Sequence, residues 1–451
     1  MTEVVPLPGF PVPASAEPLA SPPLEPTRRR IHTAAREQVE LVPRSLEDAL
    51  PDDHPARQVW ALVERLDLEA FYARIRSALD GPGRPASDPQ VLLALWIYAT
   101  VDGVGSARRL ARLCQEHDAY RWLRGGVPVN HHLLSDFQVS HREAFDALLT
   151  QTIAVLLHQQ LITLETVAQD GIRVRASAGG SSFRRRVTLE ACRARAAAQV
   201  ERVAREAETL DPSVSRRHRA ARERAARERA RRIEAATAEL PALEAIKERQ
   251  RQKLAKPQRA QVSDARVSTT DPEARVMKMP DGGFRPAYNV QEATDGATRA
   301  ILGVAVTQAG SEGGQAAPLE AQVAERCGQH PQQYLLDGGL ADRDDITTLA
   351  GHGVTVYAPT KAPQATTSGR TAADPRPDDT TAAAEWRTRM ATEAGQTVYR
   401  ARGSLVEWSH AQWRTRHGLQ QFRVRGIDKV TSVMLLIAVT HNLLQWLRLV
   451  A

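Results

Sequence analysis

Residues 161–179 read LITLETVAQDGIRVRASAG. An apolar run from Leu161 to Ala168 leads into Asp170, and Arg173 and Arg175 follow on alternate positions. The run predicts one long strand, or a hairpin turning at Asp170-Gly171. Either way a carboxylate stands where an apolar strand run ends. One aspartate in that place is ordinarily a turn or cap residue, so its meaning depends on what the rest of the chain places beside it.

Downstream, residues 184–256 contain no glycine. Val200, Val203, Ala207 and Leu210 form one narrow apolar stripe, and Ile233, Ala236, Leu240 and Leu243 form another. Asp211-Pro212 caps a new helix between them, so two long helices folded back as a hairpin are expected. From Arg184 to Arg259 there are 22 basic and 11 acidic residues, while the rest of the chain carries 38 and 42. The whole net charge of +7 therefore comes from this segment. Nine of the seventeen residues from Arg216 to Arg232 are arginine, more than Glu–Arg pairing along a helix uses. The excess points to contact with a DNA backbone.

Beyond 262 the pattern changes. Pro286–Gln291 and Ala300–Thr307 read as strands with a turn at Asp295-Gly296. Ala316–Cys327 reads as a helix, Tyr334–Asp337 as a short buried strand, Asp342–Gly351 as a helix and Val354–Ala358 as a strand. A Thr/Ala/Pro/Asp-rich loop follows at 362–385. A helix carrying Tyr399, Glu407 and Arg414 comes next, then a last apolar helix from about Asp428 to Leu449. Without the basic hairpin the order is three strands, then helix, strand, helix, strand, helix. This is an α/β (α+β mixed) arrangement, a ribonuclease-H-like mixed sheet with flanking helices.

Upstream, residues 55–160 read as a helical N-terminal domain. A start is marked at Asp88-Pro89, a break at Gly103 and Gly105, and a restart at Ser106. Residues 1–26 hold eight prolines and almost no charge, so 1–40 are expected to be a disordered tail. The expected division is 1–40 tail, 41–160 helical domain with a DNA-binding role, and 161–451 catalytic domain, interrupted by the 184–260 insertion and the 362–385 loop. Three scattered cysteines support neither a disulfide framework nor a thiolate zinc site. The most apolar stretch, Val433–Val439, is short for a membrane span, and no signal-peptide pattern opens the chain. A cytoplasmic, nucleoid-associated protein without membrane contact is expected.

In that strand order the first and fourth strands lie side by side, so Asp170 and Asp337 (in YLLDGGLAD) would meet at one sheet edge. The late helix would bring Glu407 across it. Two-metal phosphodiester chemistry needs carboxylates of this kind around paired Mg²⁺. Arg400, Arg402, Arg414, Arg416, Arg423, Arg425 and Lys429 make the neighbourhood of Glu407 cationic, suited to phosphates on either side of a scissile bond. Arg414 shares the face of Glu407 two turns on. Asp342, Asp344 and Asp345 are expected to cap a helix, Asp271 to sit in a turn before Pro272, and His410 and His441 to be structural. His131-His132 has no ligand spacing. Trp408 and Trp413 are expected in the core, with stacking on an unpaired base as the alternative.

Several segments together resemble the insertion-sequence DDE transposases of bacteria: LPDDHPARQVWALVERLDL, GRPASDPQVLLALWIYA, VAQDGIRVRASAG, VSTTDPEARVMKMPDGGFRPAYNVQEATD, YLLDGGLADRDDI, YRARGSLVEWSHAQWRTRHGLQQFRVRGIDKV and THNLLQWLR. The resemblance runs from about Leu41 to Leu447. It implies a ribonuclease-H-like catalytic domain with metal ligands at Asp170, Asp337 and Glu407, two Mg²⁺ ions (or Mn²⁺), and the family tyrosine and arginine at Tyr399 and Arg402. It also implies binding to the terminal inverted repeats of a mobile element, cleavage and strand transfer on double-stranded DNA, and a homodimer in the synaptic complex. Arg414 stands where many relatives have lysine, WSHAQW follows the glutamate where relatives have aromatic-glycine residues, and Gly403 replaces a basic residue. A non-catalytic DNA-binding regulator and a structure-directed nuclease are the alternative functions.

Overall fold

A computed structural model of the chain describes residues 43–75, 85–209, 216–254, 256–260, 262–360, 371 and 374–450. The expected tail at 1–40, the cap at Asp211-Pro212, and residues 362–370, 372 and 373 of the expected 362–385 loop lie outside them. Seven helices come first: α1 (Pro55–Val63), α2 (Glu69–Tyr72), α3 (Pro89–Val101), α4 (Ala107–Glu116), α5 (Asp118–Arg124), α6 (His131–Ser140) and α7 (Arg142–His158). The starts read from the sequence have their physical cause in place. The Asp88 carboxylate accepts from the Gln90 N–H, with Pro89 in the first turn, and the Ser106 hydroxyl accepts from the Arg109 N–H. His131 and His132 open α6 with their rings 4.1 Å apart between centroids and tilted by 35°.

Strand β1 (Thr166–Arg175) follows and settles the open reading of its sequence. It is one strand, and Asp170-Gly171 lies inside it, paired with Glu292 and Gln291. The remaining strands are β2 (Phe183–Arg184), β3 (Val267–Ser268), β4 (Arg275–Lys278), β5 (Phe284–Asp295), β6 (Ile301–Thr307), β7 (Gln333–Leu335) and β8 (Thr355–Tyr357). The main sheet runs β6-β5-β1-β7-β8, with β4 beside the first residues of β5. The β4–β5, β5–β6 and β1–β5 pairs are antiparallel, and β1–β7 and β7–β8 are parallel. A meander followed by two parallel strands is the ribonuclease-H-like order expected from the sequence.

Helices α8 (Arg186–Thr209) and α9 (Arg216–Lys253) form the long insertion, with the short α10 (Lys256–Arg259) after it. They pack on each other through Leu189, Ala196, Ile233, Ala236 and Leu240, a cluster separate from the main core. That leaves most of the arginines in solvent. Arg227 pairs with Glu223 and Arg232 with Glu228, each one turn apart. Arg216, Arg217, Arg219 and Arg231 have no acidic partner among the described residues.

Parallel neighbours need crossovers, supplied by α11 (Ala316–Cys327) between β6 and β7 and by α12 (Arg343–Gly351) between β7 and β8. The chain ends in α13 (Thr381–Ala391), α14 (Glu393–Thr415) and α15 (Ile427–Val450). The predicted loop, 362–385, is therefore five residues too long at its C-terminal side, because the Thr380 hydroxyl caps α13 by accepting from the Ala383 N–H. α11 covers one face of the sheet, with Leu319 and Val323 against Gly303. α14 covers the opposite face, where Leu405 and Val406 pack on Ala168 and Leu335.

α15 is longer than the apolar stretch picked out in the sequence. Its 24 residues are long and apolar enough to cross a membrane, yet 61% of its most apolar window is buried inside the fold. Its Asn442 side chain bonds both backbone groups of Ile301 in β6, and Ser432 donates to Gln138 O in α6. It is a core helix that joins the N-terminal helices to the sheet.

Gly418 ends the turn after α14 with φ +62°, and a Cβ there would stand 2.7 Å from the Gly103 carbonyl oxygen. Neither backbone can give way cheaply. Gly418→Ala should cost about 2–4 kcal/mol, from left-handed strain plus overpacking. Urea denaturation reads it, and a loss below about 0.5 kcal/mol would show that this junction is loose.

Candidate active site

The register of three strands builds the site. Asp170 in β1 lies directly opposite Glu292 in β5. Ala168 pairs with Leu335 in β7, and the chain stays extended through Leu336, whose N–H donates to Tyr357 O. Asp170 and Asp337 are each two residues past a paired position, so both side chains project on the face of Ala168 and Leu335. Neighbouring strands are about 4.8 Å apart. Glu292, Asp170 and Asp337 therefore form an acidic row across the sheet beneath α14.

α14 answers that row with donors. Arg402 Nη2 lies 3.0 Å from Asp170 Oδ2. His410 reaches Glu292 Oε1 with Nε2 at 3.1 Å and Asp170 Oδ2 with Nδ1 at 3.9 Å. Ser409 donates to Glu292 Oε1. Burial works to lower the His410 pKa, but the charges of Glu292 and Asp170 outweigh it and hold it above the ordinary imidazole value. Glu292 is fully buried, and its Oε2 has no hydrogen-bond partner.

Asp337 sits in the turn after β7, where Oδ1 accepts from the N–H groups of Gly339 and Leu340 at 2.6 and 2.8 Å. Its other oxygen makes no such bond. A fourth carboxylate, Glu312, enters from the loop between β6 and α11. A Cβ on Gly339 would collide with Glu312 Oε2 and stand 3.1 Å from Asp337 Oδ1, so glycine is what lets the two carboxylates share that corner. Burial raises the Glu312 pKa, and the charges of Asp337 and Asp170 raise it further, against Arg173 and Arg402. Arg173 donates to the carbonyls of Lys278 and Gly310 and pairs with Glu312 at 3.4 Å, which gives it a structural role. Arg175 is exposed.

Tyr399 lies on the same side of α14. Burial raises its pKa, with Arg402, Asp337 and Asp170 among its charged neighbours. Glu407 is placed differently. Five residues after Arg402, it lies about 140° round the helix, and its side chain is exposed. Arg414, two turns on along the same flank, is exposed too. A Cβ on Gly403, also on that flank, would meet nothing within 4 Å, so open space runs beside Glu407. Arg416 is exposed at the end of α14, and exposed Arg425 donates from Nε to the Ser177 carbonyl. The structure thus brings together Asp170, Asp337, Arg402 and Tyr399, and leaves Glu407, Arg414, Arg416 and Arg425 on the surface.

Several side chains differ from their sequence reading. Asp271 is no simple turn residue: it is fully buried, accepts from the Tyr288 hydroxyl at 2.8 Å and from the Gly426 N–H, and burial raises its pKa. Asp342 caps α12 as expected, but Asp345 accepts from the Ala316 N–H at the start of α11. His441 is structural, bonded to the Arg299 carbonyl, with burial pushing its pKa down to about 4. His410 belongs to the acidic row. Trp413 is core and fully buried; Trp408 stands edge-on to His441 beneath Arg299 and Arg448.

Divalent metal fits this chemistry. The donors are hard oxygens, their like charges oppose one another at Glu312, and among the described residues Arg402 and His410 are the cationic groups paired with Asp170. Asp170, Asp337 and Glu407 do not yet present ligand atoms within 4.8 Å of one another, since the one such group among the described residues lies elsewhere.

Two protein families match the sequence. One, described as "Transposase domain (DUF772)", covers residues 44–140, from before α1 to the end of α6. The other, described as "Transposase DDE domain", covers residues 363–447, including α13, α14 and most of α15. Tyr399, Arg402, Glu407 and Arg414 fall within the second match, and Asp170 and Asp337 fall between the two. No curated protein and no solved structure matches the chain.

Proposed function

We propose that this chain, an insertion-sequence DDE transposase by its two domain matches, binds the terminal inverted repeats of its element, cuts at the ends and joins them to target DNA. The observation that carries this reading is the placement of Asp170 and Asp337 on one face of adjacent parallel strands, under a helix that bears Tyr399, Arg402 and Glu407. Asp170, Asp337 and Glu407 would hold two Mg²⁺ ions, or Mn²⁺. Such ions lower the pKa of an attacking water and stabilise a leaving oxygen.

The rest falls to the chain's own residues. Water attacks phosphorus at the element end, the bond to the 3′ oxygen breaks, and a free 3′-hydroxyl and a 5′-phosphate result. That hydroxyl then attacks a target phosphodiester and displaces its 3′ oxygen, so bonds made equal bonds broken. Arg402 and Tyr399, beside Asp170 and Asp337, would orient the scissile phosphate. Arg414, Arg416 and Arg425 would hold flanking phosphates, and the unpaired arginines of α9 would follow the duplex with salt-sensitive affinity. The N-terminal helices, with the first matched family, form a second DNA-facing region. Pairing two ends calls for a homodimer in the synaptic complex. The proposed setting is the cytoplasm, on nucleoid DNA.

The test is a reaction of the purified protein with DNA carrying the inverted repeats that flank its gene, a plasmid target and Mg²⁺. Joined products are expected. Cutting without joining would replace this reading with a structure-directed nuclease, and binding without cutting with a regulator.

A further inference from the structure

Glu320 of α11 is fully buried, and no lysine or arginine pairs with it among the described residues. Its two oxygens meet two imidazoles: Oε1 is 2.5 Å from His330 Nδ1 and Oε2 is 3.0 Å from His352 Nδ1. His330 stands in the loop between α11 and β7, and His352 caps the end of α12. The two rings lie 4.6 Å apart between centroids. Their side chains are 42% and 36% exposed, so the carboxylate is the floor of a small cup and the imidazoles are its rim.

A buried carboxylate needs positive charge as well as donors. Neutral imidazoles supply donors alone. A cation bound between them would supply the charge. One ligand atom from each of the three residues lies within 4.8 Å of the others, and tetrahedral bonds of about 2.1 Å would set such atoms about 3.4 Å apart. The two nitrogen donors select a borderline metal over Mg²⁺, which prefers oxygens. The exposed rim leaves the fourth position to water.

We propose that Glu320, His330 and His352 bind one Zn²⁺ ion. The site is separate from the acidic row, because His330 precedes β7 while Asp337 follows its far end. Its effect is structural: it ties α11, α12 and the loop leading into β7, and so braces the strand that carries Asp337 forward.

The experiment strips the full-length protein with a chelator and titrates Zn²⁺, and Co²⁺ as a visible probe, by calorimetry, absorption and thermal melting. The wild type should take up one equivalent, show tetrahedral Co²⁺ absorption, and melt at a higher temperature with Zn²⁺. His330→Ala and His352→Ala, whose side chains reach solvent, should fold as the wild type does in chelator and bind at least about tenfold more weakly. The double variant Asp170→Asn, Asp337→Asn should bind as the wild type does, and excess Mg²⁺ should not compete. No uptake by the wild type overturns the proposal. So does uptake that survives both histidine changes, or uptake lost in the aspartate double variant.

Discussion

Asp337→Asn should fold like the wild type, bind end-bearing DNA as well, and cut it at least about a hundredfold more slowly in Mg²⁺. Asparagine keeps the local structure, because its side-chain oxygen can still accept from the Gly339 and Leu340 N–H groups that fix the turn. The negative charge is what goes. That charge raises the pKa of Glu312 through the shared corner, so the substitution also relieves a repulsion, and thermal stability should not fall. A rate loss without a stability loss separates a ligand from a structural residue. Asp170→Asn is a less clean probe, since Arg402 loses its ion-pair partner inside the fold. Wild-type cutting by Asp337→Asn would remove this carboxylate from the chemistry.

The strand order was legible because each element carries a local signal. An apolar run leads into β1; β6, β7 and β8 are short apolar runs; α12 begins at a turn capped by Asp342; and the meander-then-crossover order has few alternatives. From that order the adjacency of Asp170 and Asp337 follows, and the parallel register of β1 and β7 bears it out. Glu292 was not legible. β5 is buried on both faces from Pro286 to Asp295, so no polar–apolar alternation singles out the acid facing Asp170. Only the cross-strand register does that. Glu312 lies in a loop, and Glu320, His330 and His352 are brought together by packing of two helices and a loop. His410 reads as a spare histidine until the position of α14 over β1 is known. The flank of α14 that carries Glu407 was not legible for a related reason: spacing groups it with Arg414, but says nothing of which flank turns to the sheet.

That placement makes the third acid the sharpest question about the site. Two glutamates compete for it. Glu292 already lies beside Asp170, yet it is fully buried beneath α14, and one of its oxygens is taken by Ser409 and His410. Glu407 is exposed, on the flank of α14 where space is open, and within the matched DDE domain. A ligand that must meet both DNA and metal needs access to solvent, which Glu407 has and Glu292 lacks. Glu407→Gln should therefore lower cutting by at least about a hundredfold with an unchanged melting temperature. Glu292→Gln should lose about 1–3 kcal/mol of stability, from weakened bonds to His410 and Ser409, and keep cutting within about tenfold of the wild type. Cleavage kinetics and urea denaturation on the two variants give both readings. The reverse outcome, with Glu292→Gln inactive and Glu407→Gln active, would assign the third acid to β5. The catalytic row would then lie across three adjacent strands, with α14 supplying only Arg402, Tyr399 and His410.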